Sequence, residues 1–88
     1  MKSHIISEIQ IIPVKPNKGL IAFCCFVLFE AIYCYSVGIY TRPEGGYRLV
    51  YPTKKVNEKS MNIFHPINAR IGKIIEQEVS KVAEKVLI

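Results

Sequence analysis

The sequence predicts an α+β domain: a four-stranded antiparallel meander followed by a C-terminal amphipathic helix packed on it. Three observations carry this reading. Residues 19–40, GLIAFCCFVLFEAIYCYSVGIY, are apolar almost throughout, yet hold Glu30 at their midpoint and are rich in β-branched and aromatic side chains. Residues 47–51, YRLVY, alternate between two faces. From Ala69 onward the apolar residues recur at helical spacing.

The long apolar run is the element that decides the class. Its length meets the criterion for a membrane-spanning helix. Glu30 argues against that, since an ionised carboxylate at the bilayer centre costs roughly 2.5–3.5 kcal/mol or more. The basic flanks are also symmetric, Lys15 and Lys18 before the run and Arg42 and Arg48 after it, so no positive-inside bias exists. Two strands meeting at a tight turn at Glu30-Ala31 satisfy both facts. That register sets Cys34 opposite Val27, and Cys25 opposite Ser36.

The other elements follow in order. HIISEIQIIPV, from His4, reads as a first strand closed by Pro13 and Pro16, with KPNKG turning into the second. TRPEGG is a turn with Pro and paired Gly. In the fourth strand Tyr47, Leu49 and Tyr51 share one face, Arg48 and Val50 the other, until Pro52 ends it. TKKVNEKSMN reads as a polar, basic loop. FHPIN follows, with Asn68 as N-cap. In the helix Ile71, Ile75, Val79, Val82 and Val86 form a stripe widened by Ile74 and Ala83. Lys73, Glu76, Gln77, Ser80, Lys81, Glu84 and Lys85 lie opposite. An amphipathic helix can lie on a membrane, but this mixture of acids and bases suits one packed on a sheet.

The 88 residues give room for a single domain, 1–88, with one core. Twelve Lys and Arg against seven Asp and Glu leave a net charge of +5, a balance that favours anionic partners. Cys24, Cys25 and Cys34 have no CxxC spacing, and adjacent strand residues point to opposite faces, so they cannot grip one metal together. They read as reduced, buried core thiols, which places the protein in the cytoplasm. MKSHIISEIQ breaks into polar residues before an apolar core forms, so no secretory leader is expected. Both faces of LIAFCCFVLF are apolar and one helix covers only one of them, which predicts a homodimer.

GLIAF, YSVGIY and GGYRLVYPTKK, followed by FHPIN and a helix, resemble the stage V sporulation protein G (SpoVG) family of bacterial septation regulators. Pro52-Thr53-Lys54-Lys55 stands where the family has Pro-Ser and basic residues. His65-Pro66-Ile67-Asn68 matches the family residue for residue, and the similarity runs from about Ile6 to the last helical turn. The resemblance implies a small cytoplasmic dimer that binds DNA, and in some members RNA, as a regulator linked to septation and sporulation. It further implies nucleic-acid contact by Lys54 and Lys55 and by the helix start, including Arg70 and Lys73. Departures are Val56-Asn57-Glu58-Lys59 in place of a Pro-Asp-Gly type of turn, and Ala69-Arg70 in place of Ser and an acid.

Lys54, Lys55, Lys59, Arg70 and Lys73 are therefore the candidate nucleic-acid-binding residues, gathered around one loop and the helix start. A helix N-terminus presents free N–H groups that suit phosphate. The competing expectation for such a cluster is a solvated loop without a ligand. His65 has no nucleophile or carboxylate at a recognisable spacing, so it reads as a turn residue with a local hydrogen bond. Tyr47 and Tyr51 could stack on bases but fit a core face better. No catalytic residues, metal, cofactor, small-molecule substrate or membrane partner are expected, and the chain does not read as an enzyme. The alternative function is a dimeric protein-interaction module without nucleic-acid affinity.

Overall fold

The computed structural model describes residues 5–87, which form six strands and one helix. Strands β1 (Ile6–Asn17), β2 (Leu20–Leu28), β3 (Ile32–Thr41) and β4 (Tyr47–Val50) make one antiparallel sheet in the order β1-β2-β3-β4. Strands β5 (Thr53–Val56) and β6 (Lys59–Asn62) pair into a separate ribbon, and α1 (Ala69–Val86) closes the fold. The meander and the helix packed on it are as the sequence predicts.

Each turn has a local chemical reason. Asn17 pairs with Leu20 across Lys18 and Gly19, whose φ values of +53° and +93° fit the two-residue turn that suits twisted hairpins. Pro13 and Pro16 do not close β1, which runs through both to Asn17. β1 is an edge strand, so a residue without an N–H need not break the ladder to β2. His4, where the sequence reading starts this strand, lies outside the described residues.

The β2–β3 turn is one residue longer than expected. Phe29, Glu30 and Ala31 form it, with φ near +52° and +55° at the first two, and the Ala31 N–H donates to the Leu28 carbonyl at 2.9 Å. The register therefore pairs Val27 with Tyr33 and Phe26 with Cys34, not Cys34 with Val27. Beyond this point Tyr35 and Ser36 together face Cys25, a bulge in which Ser36 takes φ +59°. A second bulge, at Glu8 (φ +52°) and Ile9, faces Phe26 from β1. Bulges on both neighbours of one strand bend and coil the sheet. The edge strands β1 and β4 accordingly approach the helix backbone most closely.

The core lies between the concave face and the helix. Ala22, Cys24, Phe26, Cys34, Val37 and Ile39 supply the sheet side, and Ile75 and Val79 meet them from α1. Tyr47, Leu49 and Tyr51 pack around this cluster, the core role expected of the two tyrosines. Full burial of a side chain such as Phe26 contributes about 1.5–3 kcal/mol. The buried helical line is Ile75, Val79 and Ala83, while Val86 is exposed, so the apolar stripe is narrower at its end than its sequence spacing implies. Cys24 and Cys34 face the core and Cys25 the opposite surface, where its Sγ lies 3.9 Å from Gln10 Oε1. All three are free and buried, and burial pushes the Cys24 thiol up to about 12.

Asn68 caps the helix as expected. Its Oδ1 accepts from the N–H groups of Arg70 (2.9 Å) and Ile71 (3.2 Å). Arg42, just after β3, donates to Glu76 at 2.8 Å and ties the β3–β4 turn to the helix.

Candidate nucleic-acid interface

TKKVNEKSMN is a β-hairpin, not a loop. Asn57 and Glu58 sit at φ +49° and +66°, and Asn tolerates that region because its short amide can bond locally. The turn geometry sets Val56 against Lys59, Lys55 against Ser60 and Lys54 against Met61. Cross-strand partners point the same way, so Lys54, Val56, Lys59 and Met61 share one face of the ribbon and Lys55 takes the other. Every residue of the ribbon is exposed. The structure thus distributes Lys54 and Lys55 over opposite faces instead of placing them side by side.

The ribbon is fastened at its base. The Ile63 N–H donates to the Pro52 carbonyl at 2.8 Å, joining the strand that leaves the sheet to the one that returns. Phe64 meets Tyr51 edge-on, with centroids 6.1 Å apart, and lies tilted against Tyr35 at 6.5 Å. Burial raises the Tyr51 hydroxyl well above the usual phenol range, and its oxygen has no hydrogen-bond partner. His65 makes the local contact expected of it, Nδ1 lying 3.2 Å from the Pro66 carbonyl oxygen. Pro66 packs under Gly72, where an added Cβ would meet its ring at 3.4 Å.

Arg70 and Lys73 follow on the first turns of α1, both exposed. The first turn has no acidic residue, so the positive end of the helix dipole is left uncompensated. Among the described residues the ion pairs are Arg42–Glu76 and Lys81–Glu78, and none of the five candidate cations takes part in one. Along the chain, residues 63–68 separate the two basic groups, and the structure does not pack the ribbon on the helix.

That segment also walls a feature the sequence reading does not contain. An apolar groove of about 340 Å³ opens between Ile32 and Cys34 of β3, the Phe64–Asn68 segment and Ile71 of the helix. Its one sequence signal is Ile67, an isoleucine between Pro66 and the cap that remains 94 % exposed. On the opposite face of the sheet, Tyr33 and Tyr35 are exposed and stacked at 6.0 Å, and Arg48 lies 4.9 Å over the Tyr40 ring. Gly38 accommodates that arrangement, because a Cβ there would approach Tyr40 at 3.1 Å.

Among the described residues no three His, Cys, Asp or Glu side chains gather as a metal site, and no helix is long and apolar enough to cross a membrane. The fold and its basic ribbon define an antiparallel sheet and helix with an exposed cationic hairpin. No protein-family model matches the chain, and no curated protein matches it.

Proposed function

We propose that this chain is a small cytoplasmic nucleic-acid-binding regulator that acts as a homodimer, as its resemblance to the SpoVG family implies. The observation that carries the reading is the free-standing ribbon of β5 and β6, with Lys54 and Lys59 on one face and Lys55 on the other. A two-stranded ribbon fits the width of a DNA major groove, and lysines on both faces meet the phosphates of both walls. Arg70 and Lys73 add two exposed cations on the first turns of the helix. Lysine contributes mainly phosphate neutralisation, while the planar fork of Arg70 is suited to a guanine edge. DNA is the favoured partner, with RNA the alternative polymer.

The dimer reading rests on the open face of the sheet. Ile12, Phe23, Tyr33, Tyr35 and Val50 are exposed there, and apolar side chains gathered on one open sheet face favour an interface. This surface also favours the interaction-module reading, in which the same face docks a protein partner and the ribbon binds nothing. Electrophoretic shift with duplex DNA and with RNA over a salt series separates the two. A regulator binds at low salt and releases steeply as salt rises, whereas an interaction module shows no shift at any salt.

A further inference from the structure

We infer that the ribbon reads sequence as well as holding phosphate, with Asn62 as its adenine-reading side chain and Ser60 beside it. This rests on the nucleic-acid reading above and adds to it a face, a residue and a base. The register divides the ribbon by chemistry. Lys54, Val56, Lys59 and Met61 share one face, and Thr53, Lys55, Ser60 and Asn62 share the other. On the first face Val56 and Met61 are exposed and apolar, while Lys54 and Lys59 only donate. Base edges in the major groove are told apart by their pattern of donors and acceptors. The second face carries the groups that do both: two hydroxyls and a carboxamide.

Those three side chains are free to act. Thr53, Ser60 and Asn62 are all exposed, and among the described residues none of them enters a side-chain hydrogen bond. The ribbon makes no extensive contact with the sheet or the helix, so either face is open to a duplex. Asn62 is the strongest reader of the three. Its carboxamide donates to N7 of adenine and accepts from N6, a bidentate match. A serine hydroxyl rotates and either donates or accepts, so Ser60 discriminates only weakly. Ser60 and Asn62 lie two residues apart on β6, about 7 Å, or roughly two base-pair steps. With this face on the groove floor, the flexible stems of Lys54 and Lys59 reach sideways to the phosphate walls.

The test is selection of sites for the whole chain from a randomised duplex library, with affinities for selected and scrambled duplexes over a salt series. The parent should favour adenine at one position by roughly 5- to 150-fold, the discrimination of one bidentate pair. Asn62→Ala should erase that preference. It should leave scrambled-duplex affinity and the log–log salt slope unchanged, because it removes no cation. Asn62→Gln keeps a carboxamide and should still select adenine, and Met61→Ala, on the other face, should select as the parent does. The inference is overturned if Asn62→Ala selects the parent's sites, or if Met61→Ala erases the preference instead. Loss of scrambled-duplex binding by Asn62→Ala also overturns it, since the residue then supports the ribbon and reads nothing. A parent that binds all duplexes alike and releases them steeply with salt refutes base reading and leaves phosphate binding standing. A parent that binds no duplex at any salt removes both.

Discussion

Tyr51 and Phe64 meet edge-on, their ring centroids 6.1 Å apart at an interplanar angle of 76°. One ring sits where the chain leaves the sheet and the other where it returns, so this contact and the Ile63–Pro52 hydrogen bond hold the base of the ribbon. The aromatic pair contributes about 0.5–1.5 kcal/mol beyond area burial. Phe64→Leu should therefore lower stability by about 1–2 kcal/mol, read as a shift in the urea midpoint at constant slope. It should also weaken nucleic-acid binding, because a ribbon with a loosened base presents its lysines in no fixed geometry.

Asn68 separates stability from binding. Asn68→Ala removes the acceptor for two N–H groups and should cost about 1 kcal/mol in chemical denaturation. Asn68→Asp keeps the acceptor and adds a charge that favours the helix dipole, so stability should hold or rise. The same charge beside Arg70 should lower affinity for DNA. An Asp variant that is stable yet binds as tightly as the parent would place the interface away from the helix start.

The two faces of the sheet should respond in opposite ways. Phe26→Ala empties the core and should cost about 3–5 kcal/mol. Tyr33→Glu replaces a side chain that is 61 % exposed, so the folding energy of the single chain should change little. Sedimentation velocity at micromolar concentration should give a dimer for the parent and a monomer for Tyr33→Glu. A monomeric parent refutes the covered-face argument.

Stability should fall at alkaline pH. Burial holds the Cys24 thiol at about 12 against an ordinary 9.0, so above pH 9 the unfolded chain loses its proton while the folded one keeps it. The folded state then binds more protons, and the stability this provides, fully present below pH 9, is lost as pH rises through the folded value. Cys34 and Tyr51 are pushed the same way by burial. Unfolding midpoints at pH 8 and pH 10.5 should show the decline, and Cys24→Ala should make it shallower. Thiol titration of unfolded, non-reduced protein should report three free groups.

Periodicity made the helix, its cap and the meander legible, because each leaves a repeated pattern in a single stretch of chain. The bulges were not legible. Ser36 and Glu8 take positive φ without being glycine, and the coil of the sheet that demands it is a property of three strands together. Pro13 misleads for a related reason: proline ends a central strand but not an edge strand, and strand order is not written locally. The ribbon escaped because its strands are four residues long and polar, with no buried face to impose alternation. Its lysines could be found by type, but only the Val56–Lys59 register assigns them to faces. The groove assembles residues from β2 to α1, and no short stretch could announce it.

If the ribbon lysines hold nucleic acid through phosphate, the salt dependence of binding must report it. The measurement is the duplex-DNA affinity of the parent and of the Lys54→Ala, Lys55→Ala double variant between low and moderate salt. Each neutralised phosphate adds about −0.9 to the log–log slope, so the variant should bind every sequence more weakly and its slope should flatten by up to about two units. A double variant with the parent's affinity and slope across that range would contradict the account and leave the interaction-module reading in its place.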